Sequence, residues 1–460
     1  MRRHACQSRS VFAFQPMCWL LVAAVCLAVV SDGHGGAGFI RGGAVGGVTI
    51  DADGVLSNST VTDLQELQAA WQAGLEEIPA NLDDPADLRF VSLKRLEAEI
   101  SRHRDALQPL PDAVTYLAGL QRVRYVLVYP EQSDIVLAGP AEGWRIDSLG
   151  HAVGATSGRP VLLLDDLMAA LRTATTSERT GLSCSIDPTD EGIQRAQRVQ
   201  RDLRAGMSPE QAAQMLEEAL GPQVITVAGV PPTSHFARVM VAADFRMKRL
   251  AMDFQPAPID GMPSYLQLAR NSRRASANLL PRWWLAAEYD ALHRDADGLA
   301  WELRGQGVKC LTEQDAVQAS GARTQTGKTE PAAQEWADTF TARFEELARE
   351  DSTFGQLRNI MDLAIVGALV AKERLADRAG LAIPRLMGDE MLRRYNAPRH
   401  VASQASFVKK RGGWLISASG GVQMDPWYIA DQTEINADLA DMHNRADIAA
   451  ASRWWWNATE

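Results

Sequence analysis

His235 heads the residues whose types could do acid–base chemistry. It follows Pro231-Pro232-Thr233-Ser234 and opens a helix expected from Ser234 to Leu250. The positive end of a helix favours the neutral imidazole, the form a general base or a ligand needs. Ser234 is the expected cap, which commits its hydroxyl to backbone amides. Arg238 and Asp244 lie on the same helix, and Asp165-Asp166 supplies carboxylates elsewhere in the chain. Adjacent acids on a helix point apart, so that pair reads first as a solvated face. Residue types alone favour a structural His235. A catalytic His235 requires a cleft in which a carboxylate comes within reach.

Other motifs resolve less well. Ala322 to Thr329 (ARTQTGKT) fits a relaxed phosphate-loop pattern, but no convincing strand precedes it and Pro331 follows closely. A phosphate loop joins a buried strand to a helix, so the segment reads as a linker. Asp51-Ala52-Asp53-Gly54 and Asp295-Ala296-Asp297-Gly298 each resemble part of a calcium loop. The late carboxylate of such a loop would fall where Thr62 and Gln306 stand. Asp-Gly is also a tight-turn dipeptide, so turns are the main reading. Calcium at Asp51 and Asp53 is kept as the metal alternative, and no other cofactor is expected. Cys184 and Cys310 could form a disulfide or remain two buried thiols. Trp454-Trp455-Trp456 cannot share one helix face. These rings either dock back on the body or form a binding element for a partner, a glycan or a membrane surface.

The first residues carry an address. Arg2, Arg3 and Arg9 precede an apolar run from Met17 to Val30, and small residues follow from Ser31 to Gly38. That order is a secretory signal, and the run falls short of the roughly 20 residues a spanning helix needs. The expectation is export to the periplasm, cell envelope or extracellular space, with no transmembrane span in the mature chain. A net charge of −10 with scattered basic residues lacks a nucleic-acid footprint. The partner expected is instead a cell-envelope component or another exported protein. Apolar content of 46% suits a globular chain.

Periodicity supplies the elements that must position these groups. Helices are expected at 61–75 and 92–107, a hairpin at 123–129 and 134–138, and a meander through 144–155. Leu182 to Leu250 reads as a β-α-α-β-α unit. Trp283 to Tyr289 is expected to pair with Leu299 to Leu303. Pro331 to Ala376 reads as helical, with Ile360 to Ala371 buried all round. A hairpin near 407–422 and a last helix over 432–453 complete the chain. The fold class is α+β, with antiparallel hairpins and meander, a mixed β-α-α-β-α unit and a C-terminal helical segment. The expected division is 1–37 signal, 38–172 and 173–318 as two α+β units, 319–330 linker, and 331–460 as a helical unit.

Three long phrases carry a resemblance: Gly47 to Leu56 (GVTIDADGVL), Tyr125 to Trp144 and Val230 to Leu250, with Arg282 to Leu285 and Leu299 to Leu303 beside them. The chain resembles a family of exported planctomycete proteins known only by a domain-of-unknown-function label. The resemblance implies bacterial origin and export, and no activity, cofactor or catalytic residue. The function favoured by the sequence is a non-enzymatic binding or structural component of the envelope or extracellular space. The alternatives are a hydrolase acting on an envelope polymer through a His235-centred site, and a calcium-dependent adhesion protein.

Overall fold

The computed structural model describes residues 44–45, 47–59, 61–202, 207–271, 279–318, 320, 322–389, 392–405, 419–448 and 451–458. The expected signal and the Gly412-Gly413 turn lie outside the described residues. The chain is an α+β protein built on three long buried helices and two large sheets.

The helices are Leu164–Thr180 (α1), His235–Ala251 (α2) and Ser352–Lys372 (α3). In α1, Leu164, Leu167, Met168, Leu171 and Ala174 fall at helical spacing and are buried, and Gly181 ends the helix at φ 61°. Ser234 caps α2 by accepting from the Ala237 amide at 3.1 Å. Only Arg246 and Arg249 of α2 escape burial. Asp351 caps α3, and every residue from Ser352 to Val370 is buried. That helix is long and apolar enough to cross a membrane, but protein surrounds it. Gly367 allows the close approach of α3 to α1. A Cβ there would sit 2.5 Å from the Ala170 carbonyl oxygen, and a larger residue would push the helices apart.

The first sheet is centred on Leu182–Asp187 (β1), Gln223–Ala228 (β2), Leu279–Glu288 (β3), Gly307–Val317 (β4) and Ser419–Met424 (β5). Its order is Ala44–Val45, Val48–Ile50, Val55–Asn58, His400–Val401, β2, β1, β5, β3, β4, Arg323–Gln325. β5 runs parallel to β3 and antiparallel to β1. Gly421 suits the middle strand because a Cβ there would lie 1.9 Å from the Cys184 carbonyl oxygen. α2 lies on this sheet, and Lys248 Nζ donates to the Ile186 and Gly420 carbonyls at 2.6 and 3.2 Å.

The second sheet runs Thr433–Ile435, Leu292–Arg294, Ala300–Glu302, Tyr125–Tyr129, Asp134–Ala141, Ala86–Ser92, Trp455–Asn457. The 123–138 hairpin forms as expected, with Pro130–Gln132 as its turn. The meander appears as Trp144–Ile146 paired with Ala152–Gly154.

Several expectations are overturned. Trp283 to Tyr289 does not pair with Leu299 to Leu303: β3 pairs with β4 and β5, whereas Ala300–Glu302 joins the other sheet. The expected helix over 432–453 contains a strand, Thr433–Ile435, and a short helix, Leu439–Arg445. The expected linker carries Arg323–Gln325, which pairs with β4 as an edge strand. Both sheets draw strands from all three expected units, so backbone pairing ties those units together. Cys184 and Cys310 are both free and buried. They share one row across β1, β5, β3 and β4 through Val422 and Leu285. Three strand spacings of ~4.8 Å separate them, well beyond disulfide reach.

The terminal tryptophans dock back. Trp455 pairs with Val91 in the edge strand and is 8% exposed. Trp456 stacks on Phe90 at 5.4 Å and donates from Nε1 to the Ala446 carbonyl at 2.6 Å. The Trp454 carbonyl accepts from the Ser92 amide at 2.9 Å. An exposed Trp454-Trp455-Trp456 binding element is therefore not what the fold presents. Instead the three residues cover the edge of Ala86–Ser92 with hydrogen bonds and aromatic surface.

Candidate functional site

The amino-terminal portions of α1, α2 and α3 meet at one cavity of about 70 Å³. Asp165 comes from the first turn of α1, His235 is the first residue of α2, and Gln356 lies in the second turn of α3. Trp71, Thr115, Tyr116, His151, Arg393 and Tyr395 supply the rest of its polar and aromatic wall.

The adjacent acids point apart, and that divergence makes the site. Asp166 turns onto His235, with its two oxygens 3.0 and 2.9 Å from Nδ1. Both side chains are buried. Asp165 faces the cavity instead. The Asp166 carboxylate is acceptor-only when ionised, so it accepts a hydrogen bond from Nδ1–H and leaves the Nε2 lone pair available. No hydrogen bond occupies Nε2 among the described residues. A carboxylate behind an imidazole fixes its tautomer and stabilises the imidazolium that forms when it takes a proton.

Asp165 is chemically unlike its neighbour. Burial pushes its carboxyl above the ordinary range, and the Asp166 charge adds to that shift. Arg393 and His235 oppose it. A carboxyl that keeps its proton longer is suited to general acid work. Tyr395 is raised by burial. Its amide donates to the Thr233 carbonyl at 2.9 Å, which tethers the 392–399 segment beside the α2 cap. Its ring lies 5.9 Å from that of His235.

A second polar chain supports the wall. Ser352 donates to Asp147, so its oxygen accepts from His151 Nδ1 at 2.7 Å. Burial lowers the His151 pKa, the Asp147 carboxylate opposes this, and nearby His235 reinforces it. The order carboxylate, hydroxyl, imidazole is not that of an activated serine, whose hydroxyl must face the imidazole rather than donate to the acid. This chain is scaffolding for the cavity.

His235, Asp165 and Asp166 therefore come together as the cleft reading requires. Arg238 does not enter the cavity. Its guanidinium lies 4.9 Å from the centroid of the Tyr395 ring, and burial lowers its pKa to about 10. Asp244 is elsewhere, roughly 13 Å along α2 from His235 at 1.5 Å per residue. It pairs with Lys248 at 3.0 Å against the sheet, and burial raises its pKa to about 6.

The metal alternative meets a different arrangement. Asp51 Oδ1 accepts from the Asp53 and Val55 amides at 3.0 and 2.8 Å, the pattern of an Asx turn between two strands. No group of three or more His, Cys, Asp or Glu side chains suited to a metal occurs among the described residues. The phosphate-loop match also fails on geometry. Its Gly327 amide donates to the Glu313 carboxylate at 2.7 Å, which places negative charge where phosphate would sit.

Trp71, His151, Gln356, Arg393 and Tyr395 were not singled out from sequence. Gln356 alone carried a signal: a polar residue near the start of a helix that turns apolar on every side. Residues 184–265, from within β1 to beyond α2, match the model of a family described as a protein of unknown function, DUF1598, so His235 lies within that domain and Asp165-Asp166 outside it. No curated protein and no solved structure matches the chain.

Proposed function

We propose that this protein is an exported hydrolase that breaks a bond in a cell-envelope polymer by activating water. The observation that carries the reading is the buried Asp166–His235 pair at 2.9 Å, with the imidazole forming part of a cavity wall. In this mechanism His235 Nε2 removes a proton from water as the water oxygen attacks. Asp166 steadies the resulting imidazolium, and Asp165, whose carboxyl burial holds above its ordinary range, is the group placed to give a proton to the departing group. Export rests on the N-terminal pattern of basic, apolar and small residues. The test is incubation of the purified protein with isolated bacterial envelopes, reading soluble fragments and newly formed reducing ends. Release by the wild type and its loss in His235→Asn are expected. Equal release by both proteins would refute the reading.

A binding role without catalysis is the second reading. It draws on a larger groove of about 480 Å³ on the first sheet, where Arg282 lies 5.6 Å from the centroid of the Trp284 ring. Envelope pelleting that survives His235→Asn but not Trp284→Ala would favour it.

A further inference from the structure

The face of the first sheet turned away from α2 carries a groove. Side chains alternate between the two faces of a strand, and these strands sort them by polarity. Leu182, Cys184 and Ile186 of β1, Val422 and Met424 of β5, and Trp283 and Leu285 of β3 are buried. Ser183 and Ser185, Gln423, and Arg282 and Trp284 take the alternate positions and are half-buried or exposed. The register sets Ser185, Gly421 and Trp284 in one row across β1, β5 and β3. Gly421 has no side chain, so the row is open at its middle. That gap belongs to the groove of about 480 Å³, whose wall includes Ser183, Ser185, Thr226, Gln423, Arg282 and Trp284. Its volume lies within the roughly 300–1,000 Å³ of small-molecule sites.

We infer that this groove binds a neutral oligosaccharide, with a sugar ring on Trp284 and its hydroxyls on the serine, threonine and glutamine side chains. The assignment rests on the binding reading of the groove and not on the His235 site. Charge decides against an ion. The carboxylates of Glu178 and Asp425 and the guanidiniums of Arg179 and Arg282 line the groove in equal number, so they cancel. Strand pairing decides against a peptide. β1, β5 and β3 each have neighbours on both sides, which leaves no free strand edge for an added chain. The wall instead offers groups that both donate and accept: the hydroxyls of Ser183, Ser185 and Thr226 and the amide of Gln423. Sugar hydroxyls need partners of that kind. Ser183 and Ser185 stand ~7 Å apart along β1, a spacing for hydroxyls spread along a chain rather than for the edge of one flat base. Trp284 supplies apolar surface for the C–H face of a ring, and Arg282, 5.6 Å from its centroid, steadies the indole.

The experiment is calorimetric titration of the purified full chain with cellopentaose, maltopentaose and chitopentaose, beside adenosine and a glycine–serine pentapeptide. Wild type and His235→Asn should bind at least one of the three sugars with equal affinity, because the groove and the cavity are separate. Trp284→Ala should weaken that binding about tenfold or more. Gln423 is exposed, so Gln423→Ala should keep the wild-type Tm and weaken binding about two- to tenfold. That variant decides the matter if Trp284→Ala fails to fold. Absence of binding to all three sugars overturns the proposal, as does binding unchanged in both groove variants. Tighter binding of adenosine or of the peptide also overturns it, and loss of sugar binding in His235→Asn would move the site to the cavity. Envelope pelleting that needs Trp284 without sugar binding would overturn the glycan assignment alone. Sugar binding with pelleting indifferent to Trp284→Ala would overturn the envelope-binding reading alone.

Discussion

Replacing Asp362 by leucine should cost ~3–5 kcal/mol, because it leaves a buried cation without its partner. Asp362 is fully buried in α3. It accepts from Arg122 Nε and Nη2 at 3.0 and 2.9 Å and from the Tyr289 hydroxyl at 2.6 Å. Arg122 also donates to the Gly305 carbonyl at 3.1 Å, so one carboxylate ties α3 to segments bordering both sheets. Towards its amino end, Arg246 meets the α3 cap Asp351 at 2.5 Å, and Gln356 lies between the two anchors. At an unfolding entropy of ~2.1 cal/mol/K per residue, a 460-residue chain loses roughly 1 °C per kcal/mol. The expected fall in Tm for Asp362→Leu is therefore about 3–5 °C by calorimetry. The combined variant Arg122→Met, Asp362→Leu, Tyr289→Phe should recover most of it, since an apolar trio removes the buried charges together. A single-variant loss below about 1 °C, or a triple variant no better than the single, would refute the anchoring argument.

Asp166→Asn retains an oxygen for His235 Nδ1 but removes the charge behind it. Envelope hydrolysis should fall by about 10²–10⁴-fold with little change in Tm, and a loss under about fivefold would exclude His235 as an oriented base. Asp244 sets a pH dependence of stability. Its folded pKa of about 6 lies above an unfolded value of ~3.9, so the native state holds the extra proton between them. That contribution is complete below pH ~4 and is lost as pH rises through 6. The Tm difference between wild type and Asp244→Asn should change across that window, and parallel Tm curves would contradict the assignment. Cys184 and Cys310 should both react with a thiol reagent only after unfolding, and reductant should leave Tm unchanged. Burial raises both thiols well above their ordinary range, which keeps them protonated and unreactive in the native state.

Local chemistry was legible where it decided local structure. Ser234 caps the helix that the sequence predicts, and Pro130 marks the turn between two strands. The β-α-α-β-α order over Leu182 to Leu250 follows from the change between two-residue and helical periods. Pairing between distant strands was not legible, since an apolar strand satisfies its backbone equally well beside several partners. The neighbours β5 and β3 are more than a hundred residues apart in the chain, and nothing in Trp283-Trp284 names Gly420-Gly421 as its partner. The same limit hid the site. Adjacent Asp165 and Asp166 were correctly expected to point apart, and that geometry read as a solvated face. Inside the fold the same divergence puts one carboxylate behind an imidazole and the other on a cavity wall. Two acids that cannot serve one substrate atom together can take different roles when a second helix supplies the base. Their environments differ as those roles demand. Asp166 is tied to His235, whereas the cavity-facing Asp165 is raised by burial and by the charge of its own neighbour. Only tertiary contact creates that asymmetry, so neither residue type nor spacing could reveal it.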